Sequence, residues 1–570
     1  MKKSSFNFVL IFLYFSFVGF GQILGYAQKK TNSTAFSNNS EIQTTYTTSI
    51  NENYRDIFAD TWVASDALGR KMLFLEEVGP VKNDQRRITA MFYITWHTPD
   101  KFTEFKSPYS ADVSKILQAD PSARLDAKNP LWTENSYHWG EPEMGYFLTQ
   151  DEYVIRKDMS MLADAGADVL VMDVTNAVRY WDEWEALFKT MQKMKAEGNK
   201  VPIFCFWAFN GPVITVVQDL YDRIYKTNLY SDLWFYWDGK PLLLYNGKPK
   251  FDANSTNVKN ANPHYDPSAK TDTNNPHFGN PDYTEEFYKD YTNEVKDFFT
   301  KRTMCWGYYE WAGNRFIGTE DNWSFGYNLD DDKLKALSPQ QLLSTHQGKW
   351  EQAAVTAAQH PVTMDSGNIG VGKSWSRQYG EPKLNEFDLP DSAYVPWLGK
   401  KVKNPEGYGI YFQERWNEAI EANPEFLFIN DWNEWTAGKY FPDDKGGITN
   451  MVGENTMPWL GRNNSFIFVD QYNSEFNRGI QPMKDGYSDN YYMQMAQNIR
   501  KYKGVRPMPI QNGFQSIKND GNFSDWEKIT NEFRDTKGDT FLRNHNGYGG
   551  LHYTNESGRN DIITSKVAVD

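Results

Sequence analysis

A chain of 570 residues has room for one barrel of more than about 250 residues together with appendages. Its net charge of -14 argues against nucleic acid and anionic membranes as partners. Its 20 Trp, 34 Tyr and 37 Phe suit neutral or weakly charged sugars better than phosphorylated ligands. Two cysteines, Cys205 and Cys305, each lie in an apolar run and read as buried structural thiols rather than a disulfide.

Met1-Lys2-Lys3 followed by the apolar run Phe6–Phe20 has the form of a secretory signal peptide. It is expected to occupy residues 1–27. The run is too short for a membrane span of about 20 residues, so no span is expected in the mature chain. No cysteine follows it, which excludes lipid attachment there. The expected location is therefore secreted or periplasmic. Residues 28–50, rich in Ser, Thr and Asn, read as a disordered lead-in.

Strands and helices then alternate over 51–507. The predicted strands are Ile88–Trp96, Asp168–Val174, Lys200–Phe209, Pro241–Tyr245, Met304–Trp311, Pro361–Asp365, Glu425–Asn430 and Phe466–Gln471. Helices are expected over Asp151–Ala165 behind a Thr149 cap, then Trp181–Glu197, Val213–Tyr225, Glu285–Thr300, Pro339–Ala358, Tyr411–Ala422 and Asp489–Tyr502. Eight strands alternating with helices predict an α/β fold, a (β/α)8 TIM barrel. Long loop insertions at Asn246–Pro281 and Glu310–Lys333 follow the fourth and fifth strands, on the face where such barrels carry their sites. Asp330-Asp331-Asp332 reads as a solvated acidic turn.

The segment Phe426-Leu427-Phe428-Ile429-Asn430-Asp431-Trp432-Asn433-Glu434-Trp435 is an apolar strand that ends abruptly in acids, amides and indoles. Carboxylates between tryptophans suit a carbohydrate, whose ring faces stack on indoles while its oxygens need acids and acceptors. The other predicted strand ends deliver Trp96 and His97, Asp173, Trp207 and Asn210, Glu310 and Trp311, Asp365 and Asp470. Five of these eight ends carry a carboxylate, and unpaired acids are costly inside a core. Glycoside hydrolysis needs such a cleft: one carboxyl group protonates the leaving oxygen and a second acts as nucleophile or base. Glu434, Glu310 and Asp173 are the predicted catalytic groups. Trp96, His97, Trp207, Asn210, Trp311, Asp365, Asp431, Trp432, Asn433, Trp435 and Asp470 are predicted to bind substrate. No P-loop or glycine fingerprint occurs, and no metal-ligand pattern, so neither cofactor nor metal is expected.

Trp432-Asn433-Glu434-Trp435 resembles the Trp-Asn-Glu-Trp signature of glycoside hydrolase family 99-like barrels, which are related to families 71 and 99. The resemblance implies a (β/α)8 barrel in which Glu434 acts as a base on the sugar's 2-hydroxyl. In family 99 a second glutamate three residues later is the acid. Ala437 occupies that position here, which leaves Glu310 as the candidate proton donor. Trp139-Gly140-Glu141-Pro142, Asp173-Val174-Thr175-Asn176 and Phe468-Val469-Asp470-Gln471 resemble segments of secreted barrel proteins of polysaccharide-degrading Bacteroidetes. That likeness runs over roughly 88–507.

Residues 508–570 shift to short alternating segments and turns. Gly521-Asn522-Phe523-Ser524-Asp525-Trp526 resembles the opening of a family 9-like carbohydrate-binding β-sandwich, of which only part is expected here because a complete one needs about 100 residues. The expected activity is a secreted glycoside hydrolase acting on a polysaccharide or oligosaccharide. Its rival is a catalytically silent barrel that binds glycans.

Overall fold

A computed structural model of the chain describes residues 58–98, 111–125, 129–134, 136–209, 212–245, 264–285, 288, 290–305, 320–325, 338, 343–357, 362–363, 369–370, 392–403, 405–442, 448–450, 467–468, 479–510 and 513–569. Among the described residues, eight strands form the central sheet in parallel pairings. They are β1 (Ile88–Tyr93), β2 (Val169–Val174), β3 (Ile203–Ala208), β4 (Lys240–Tyr245), β5 (Thr300–Cys305), β6 (Asn322–Ser324), β7 (Lys349–Thr356) and β8 (Phe426–Asn430). Each pairs with its neighbour in chain order from β1 to β6, β7 pairs with β8, and β8 returns to β1. This is a nearly closed, singly wound (β/α)8 barrel.

Closure between β6 and β7 is made by one main-chain bond, from the Asp321 amide to the Thr345 carbonyl at 2.7 Å, and by a side chain. Gln352 accepts from the Ser324 amide at 2.9 Å and donates to the Ser324 carbonyl at 2.8 Å, the two bonds a neighbouring strand would supply. Inside the barrel, small and large side chains fit together: Ala90 and Ala354 leave space for Trp207, whose ring lies 5.5 Å from Phe92 and 4.8 Å from Phe325. Cys205 is also there, a free thiol that burial pushes up in pKa.

The N-terminal end of the barrel is plugged by one carboxylate. A shift of register between Trp350 and Gln352 is a bulge, which re-aims a side chain, and Glu351 points into the barrel. Its oxygens accept from Arg302 Nε and Nη2, each at 2.7 Å, and from the indoles of Trp237 and Trp323, each at 2.8 Å.

Helices cover the outside of the sheet. α1 (Val113–Ala119) and α2 (Glu152–Ala165) follow β1, α3 (Trp181–Ala196) follows β2, and α4 (Val213–Leu220) follows β3 and runs on into a π turn. α5 (Asn293–Phe298) precedes β5, α6 (Ile410–Ala422) precedes β8, and α7 (Asn490–Lys503) follows β8 to pack beside α2. Val154, Ile155, Met159 and Leu162 of α2 are buried, one apolar face at helical spacing. The helix is capped by Asp151, which accepts from the Tyr153 amide at 3.1 Å, rather than by Thr149. It stops at Gly166, where φ is +96° and an added Cβ would lie 2.9 Å from Ile499.

Two predicted strands do not belong to the barrel. In the sixth, Val362–Thr363 pairs antiparallel with Ile369–Gly370. In the eighth, Ile467–Phe468 pairs antiparallel with Lys439 and Tyr440. Their barrel places are taken by β6 and β7. The predicted helix Pro339–Ala358 contains β7, where six successive residues from Glu351 to Thr356 are buried. Burial on both faces removes the alternation by which a strand is recognised, and packing overrides the helical preference of Glu, Gln and Ala. The fifth strand starts at Thr300, four residues before its predicted start.

The C-terminal residues form two small antiparallel pairs, Glu532–Arg534 with Thr564–Lys566 and Arg543–Asn546 with His552–Asn555. They dock on the barrel through buried ionic contacts. Arg543 donates to Asp151 at 2.7 Å and to the Met144 carbonyl at 2.9 Å, between the rings of Tyr153 and Tyr553. Lys157 meets Asp539 at 2.8 Å. Gly547 lies so close to the barrel that an added Cβ would sit 2.5 Å from the Tyr146 carbonyl oxygen.

Candidate active site

The loop after β8 is held by its own side chains. The Asp431 carboxylate accepts from the Glu434 amide at 3.1 Å, closing a turn that fixes the glutamate's backbone. Asn433 takes the place of a strand neighbour. Its Oδ1 accepts from the Ile94 amide at 2.9 Å and its Nδ2 donates to the Ile94 carbonyl at 3.0 Å. The Trp432 amide donates to the Phe92 carbonyl at 2.9 Å. The chain thus continues the β8–β1 pairing past the end of the strands and carries Glu434 to the barrel mouth. The Asn430–Asp431 peptide is cis.

Trp139 packs on this loop from the β1 side. Its ring stacks on Trp435 with centroids 4.8 Å apart and planes 9° off parallel, and its indole donates to the Glu434 carbonyl at 3.2 Å. The two aromatic motifs that the sequence separates by some three hundred residues are one structural unit. Glu434 is 3% exposed and Asp431 is fully buried. Ala437 lies in the strand Thr436–Pro442, opposite Tyr137.

Behind the loop sits a buried acid that sequence reasoning missed. Asp158 of α2 accepts from the Tyr93 hydroxyl at 2.8 Å and from the amide of Gln481, whose other end accepts from the Trp435 indole. Burial pushes the Asp158 carboxyl up to about 7, and hydrogen bonding from Trp432, Tyr93 and Gln481 only partly opposes this. A carboxyl whose pKa is raised by folding stabilises the fold fully below its unfolded pKa near 4, and that stability is lost as pH rises through 7. The contribution of Asp158 to stability is therefore expected to be smaller at pH 8 than at pH 5. Asp158→Asn reproduces the protonated acid, with Nδ2 donating to Tyr93 and Oδ1 accepting from Gln481, and should flatten this dependence. Urea midpoints at the two pH values check this; an unchanged slope in the variant would count against it.

His97, after β1, is 1% exposed. Its Nε2 faces the Asn433 carbonyl at 2.8 Å and its Nδ1 faces the Tyr548 hydroxyl at 3.4 Å. A carbonyl can only accept, so Nε2 carries the hydrogen and Nδ1 accepts from the tyrosine. Burial pushes the imidazole down to about 4 against the pull of that carbonyl, and it is neutral at physiological pH.

Asp173, at the end of β2, points into the barrel and accepts from the Thr175 amide at 2.8 Å. Trp207 lies within the barrel core, and Trp432 and Trp435 are buried between sheet and helices. Trp96 is the partly exposed indole of this group, packed at the edge of the barrel core. Glu310, Trp311, Asn210, Asp365 and Asp470 lie outside the described residues, as do residues 1–57. The structure therefore brings His97, Asp431, Trp432, Asn433, Glu434 and Trp435 into one contact network, with Asp173 and Trp96 at neighbouring strand ends.

Among the described residues one group could ligate a metal, Glu320, Asp321 and His346. It lies at the N-terminal end of β6 and β7, away from the mouth. Its atoms are engaged already: Glu320 accepts from Thr345 and from the Gln347 and Gly348 amides, and His346 meets Asp321.

These features define a (β/α)8 barrel in which the loop after β8 places buried Glu434 past the C-terminal ends of the strands. Two solved structures similar to it are both of a GH99 endo-alpha-mannosidase from Bacteroides thetaiotaomicron, one of them in complex with BIS-TRIS-propane. Each is 13% identical, with TM-scores of 0.33 for the complex and 0.34 for the other, covering 73% of this chain and 97% and 98% of theirs. No protein-family model and no curated protein matches the chain.

Proposed function

We propose that the protein is a secreted glycoside hydrolase acting on a polysaccharide or oligosaccharide. The observation that carries this reading is Glu434 itself, fixed by the Asp431 turn and the Asn433 clamp at the C-terminal mouth of the barrel and backed by stacked indoles. Such a mouth is where barrels of this kind do chemistry, and a rigid, dry support is what a working carboxylate needs. In this reading Glu434 is the base or nucleophile, Glu310 donates the proton and Asp173 orients the sugar or assists. Trp96 offers a ring face, and His97, with Nε2 on the Asn433 carbonyl and Nδ1 on the Tyr548 hydroxyl, supports the loop that carries Glu434. Secretion rests on the N-terminal sequence; among the described residues no helix is long and apolar enough to cross a membrane.

One observation favours a second reading, a barrel that binds glycans without cleaving them. Position 437, where family 99 barrels carry their acid, is alanine and is paired into a strand opposite Tyr137. Reducing-sugar release from plant, fungal, bacterial and algal polysaccharides, measured beside binding to the same panel, separates the two. Sugar release that is lost in Glu310→Ala, and spared on activated aryl glycosides, is the expected result. Binding without release anywhere in the panel would establish the second reading instead.

A further inference from the structure

The docked C-terminal residues do more than cover the barrel. Between them and the barrel rim lies a cavity of about 400 Å³, within the range of roughly 300–1,000 Å³ typical of small-molecule sites. One wall comes from the barrel: His97 after β1, Gln150 ahead of α2, and Glu183 in the first turn of α3. The other wall is the turn containing His545, Asn546 and Tyr548. The cavity therefore opens on the same face as Glu434, and half of it exists only because the C-terminal residues are in place.

The lining has a definite chemistry. Glu183 is 8% exposed, and its described polar contact is the Gln150 amide at 3.1 Å. Among the described residues no lysine or arginine lines the cavity or pairs with this carboxylate. Asn546 and Asn544 each face one ring nitrogen of His552 at 2.8 Å, and a neutral imidazole donates to one of them. His545 Nδ1 faces the Asn546 carbonyl at 2.8 Å, so it donates there and Nε2 is left as an acceptor. A carboxylate, a glutamine carbonyl and an imidazole nitrogen are acceptors, and the Asn546 side-chain amide stands beside them. Such a surface fits a ligand rich in hydroxyl hydrogens and repels phosphate, sulfate or uronate.

We propose that this cavity is a second sugar-binding site, taking one neutral pyranose unit of the same glycan that reaches Glu434, and that the C-terminal segment is part of the substrate-binding apparatus. The proposal rests on the carbohydrate reading above. Glycines make the turn possible: Gly547 permits the close approach to Tyr146, and Gly549 adopts φ of +59°.

The test uses the full chain carrying Glu434→Gln, so that binding is read without turnover. Calorimetry with neutral oligosaccharides of increasing length, from whichever polysaccharide of the panel binds, should show affinity rising with length. Adding Asn546→Leu, on an exposed turn, or Glu183→Gln, which keeps the side chain's shape, should weaken the longer oligosaccharides by about tenfold and the shortest ones little. Circular dichroism and thermal midpoints equal to the parent's confirm that the fold is retained. Oligosaccharides that bind both variants as tightly as the parent overturn the proposal and leave the carbohydrate reading standing. A panel in which no glycan binds the full chain overturns both.

Discussion

Glu434→Gln is expected to leave the fold intact and lower glycosidic turnover by at least about a hundredfold, the low end of what a positioned acid or base contributes. The substitution is isosteric and removes only charge and basicity. The backbone contacts that hold position 434, from Asp431 and to Trp139, involve main-chain atoms and survive it. The loss should therefore appear in kcat more than in KM, because the group is needed in the transition state rather than to hold the substrate. Steady-state kinetics with matched circular dichroism checks this, and a variant with near-full activity removes Glu434 from the chemistry.

The largest expected effect on stability is at the other end of the barrel. Glu351→Ala leaves two indole N–H groups buried with no acceptor and takes from Arg302 its buried partner, though Asp238 at 3.0 Å and the Lys301 carbonyl remain; breaking a buried ion pair from one side costs about 3–5 kcal/mol. The four bonds lost with this carboxylate, set against the acceptors Arg302 keeps, put the expected loss within that range. The double variant Arg302→Met with Glu351→Leu removes charge from both sides and should recover the part of the loss due to the broken pair, while the Trp237 and Trp323 N–H groups stay without an acceptor. Denaturant midpoints of the single and double variants decide this. A single variant within about 1 kcal/mol of the parent would mean that water reaches the plug.

Much of the barrel could be read from the sequence because β1, β2, β3, β4 and β8 are apolar runs ending in polar residues, with helices of clear period between them. β6 has three residues, too short for any pattern to register. β7 carries Glu351 and Gln352 inward, so its most informative positions look like surface. The Glu434 loop was legible for the opposite reason: an apolar strand that stops at acids, amides and indoles is the pattern of a buried strand opening into a polar mouth. What those side chains do there was not. A tryptophan in an irregular loop looks the same whether it is a platform or packing, and only contact with Trp139, 295 positions from the Glu434 carbonyl it binds, tells them apart. Asp158 stands in a helix where an acid is ordinarily solvated, and its partner Gln481 is 323 positions away. The cavity beside His97 had a signal in Gly547-Tyr548-Gly549-Gly550, a run whose glycines point to a tight turn and close backbone approach.

The Gln352 bridge has a topological consequence. A ring of strands zipped by main chain throughout has no first place to fail, whereas this ring has a clasp. Rotating one amide side chain releases both of its bonds to Ser324 while the seven described strand-to-strand ladders stay closed. The seam is then held by the Asp321 amide on the Thr345 carbonyl and the Ser344 hydroxyl on the Asn322 carbonyl, fewer bonds than any ladder supplies, and β6 and β7 are where opening would begin.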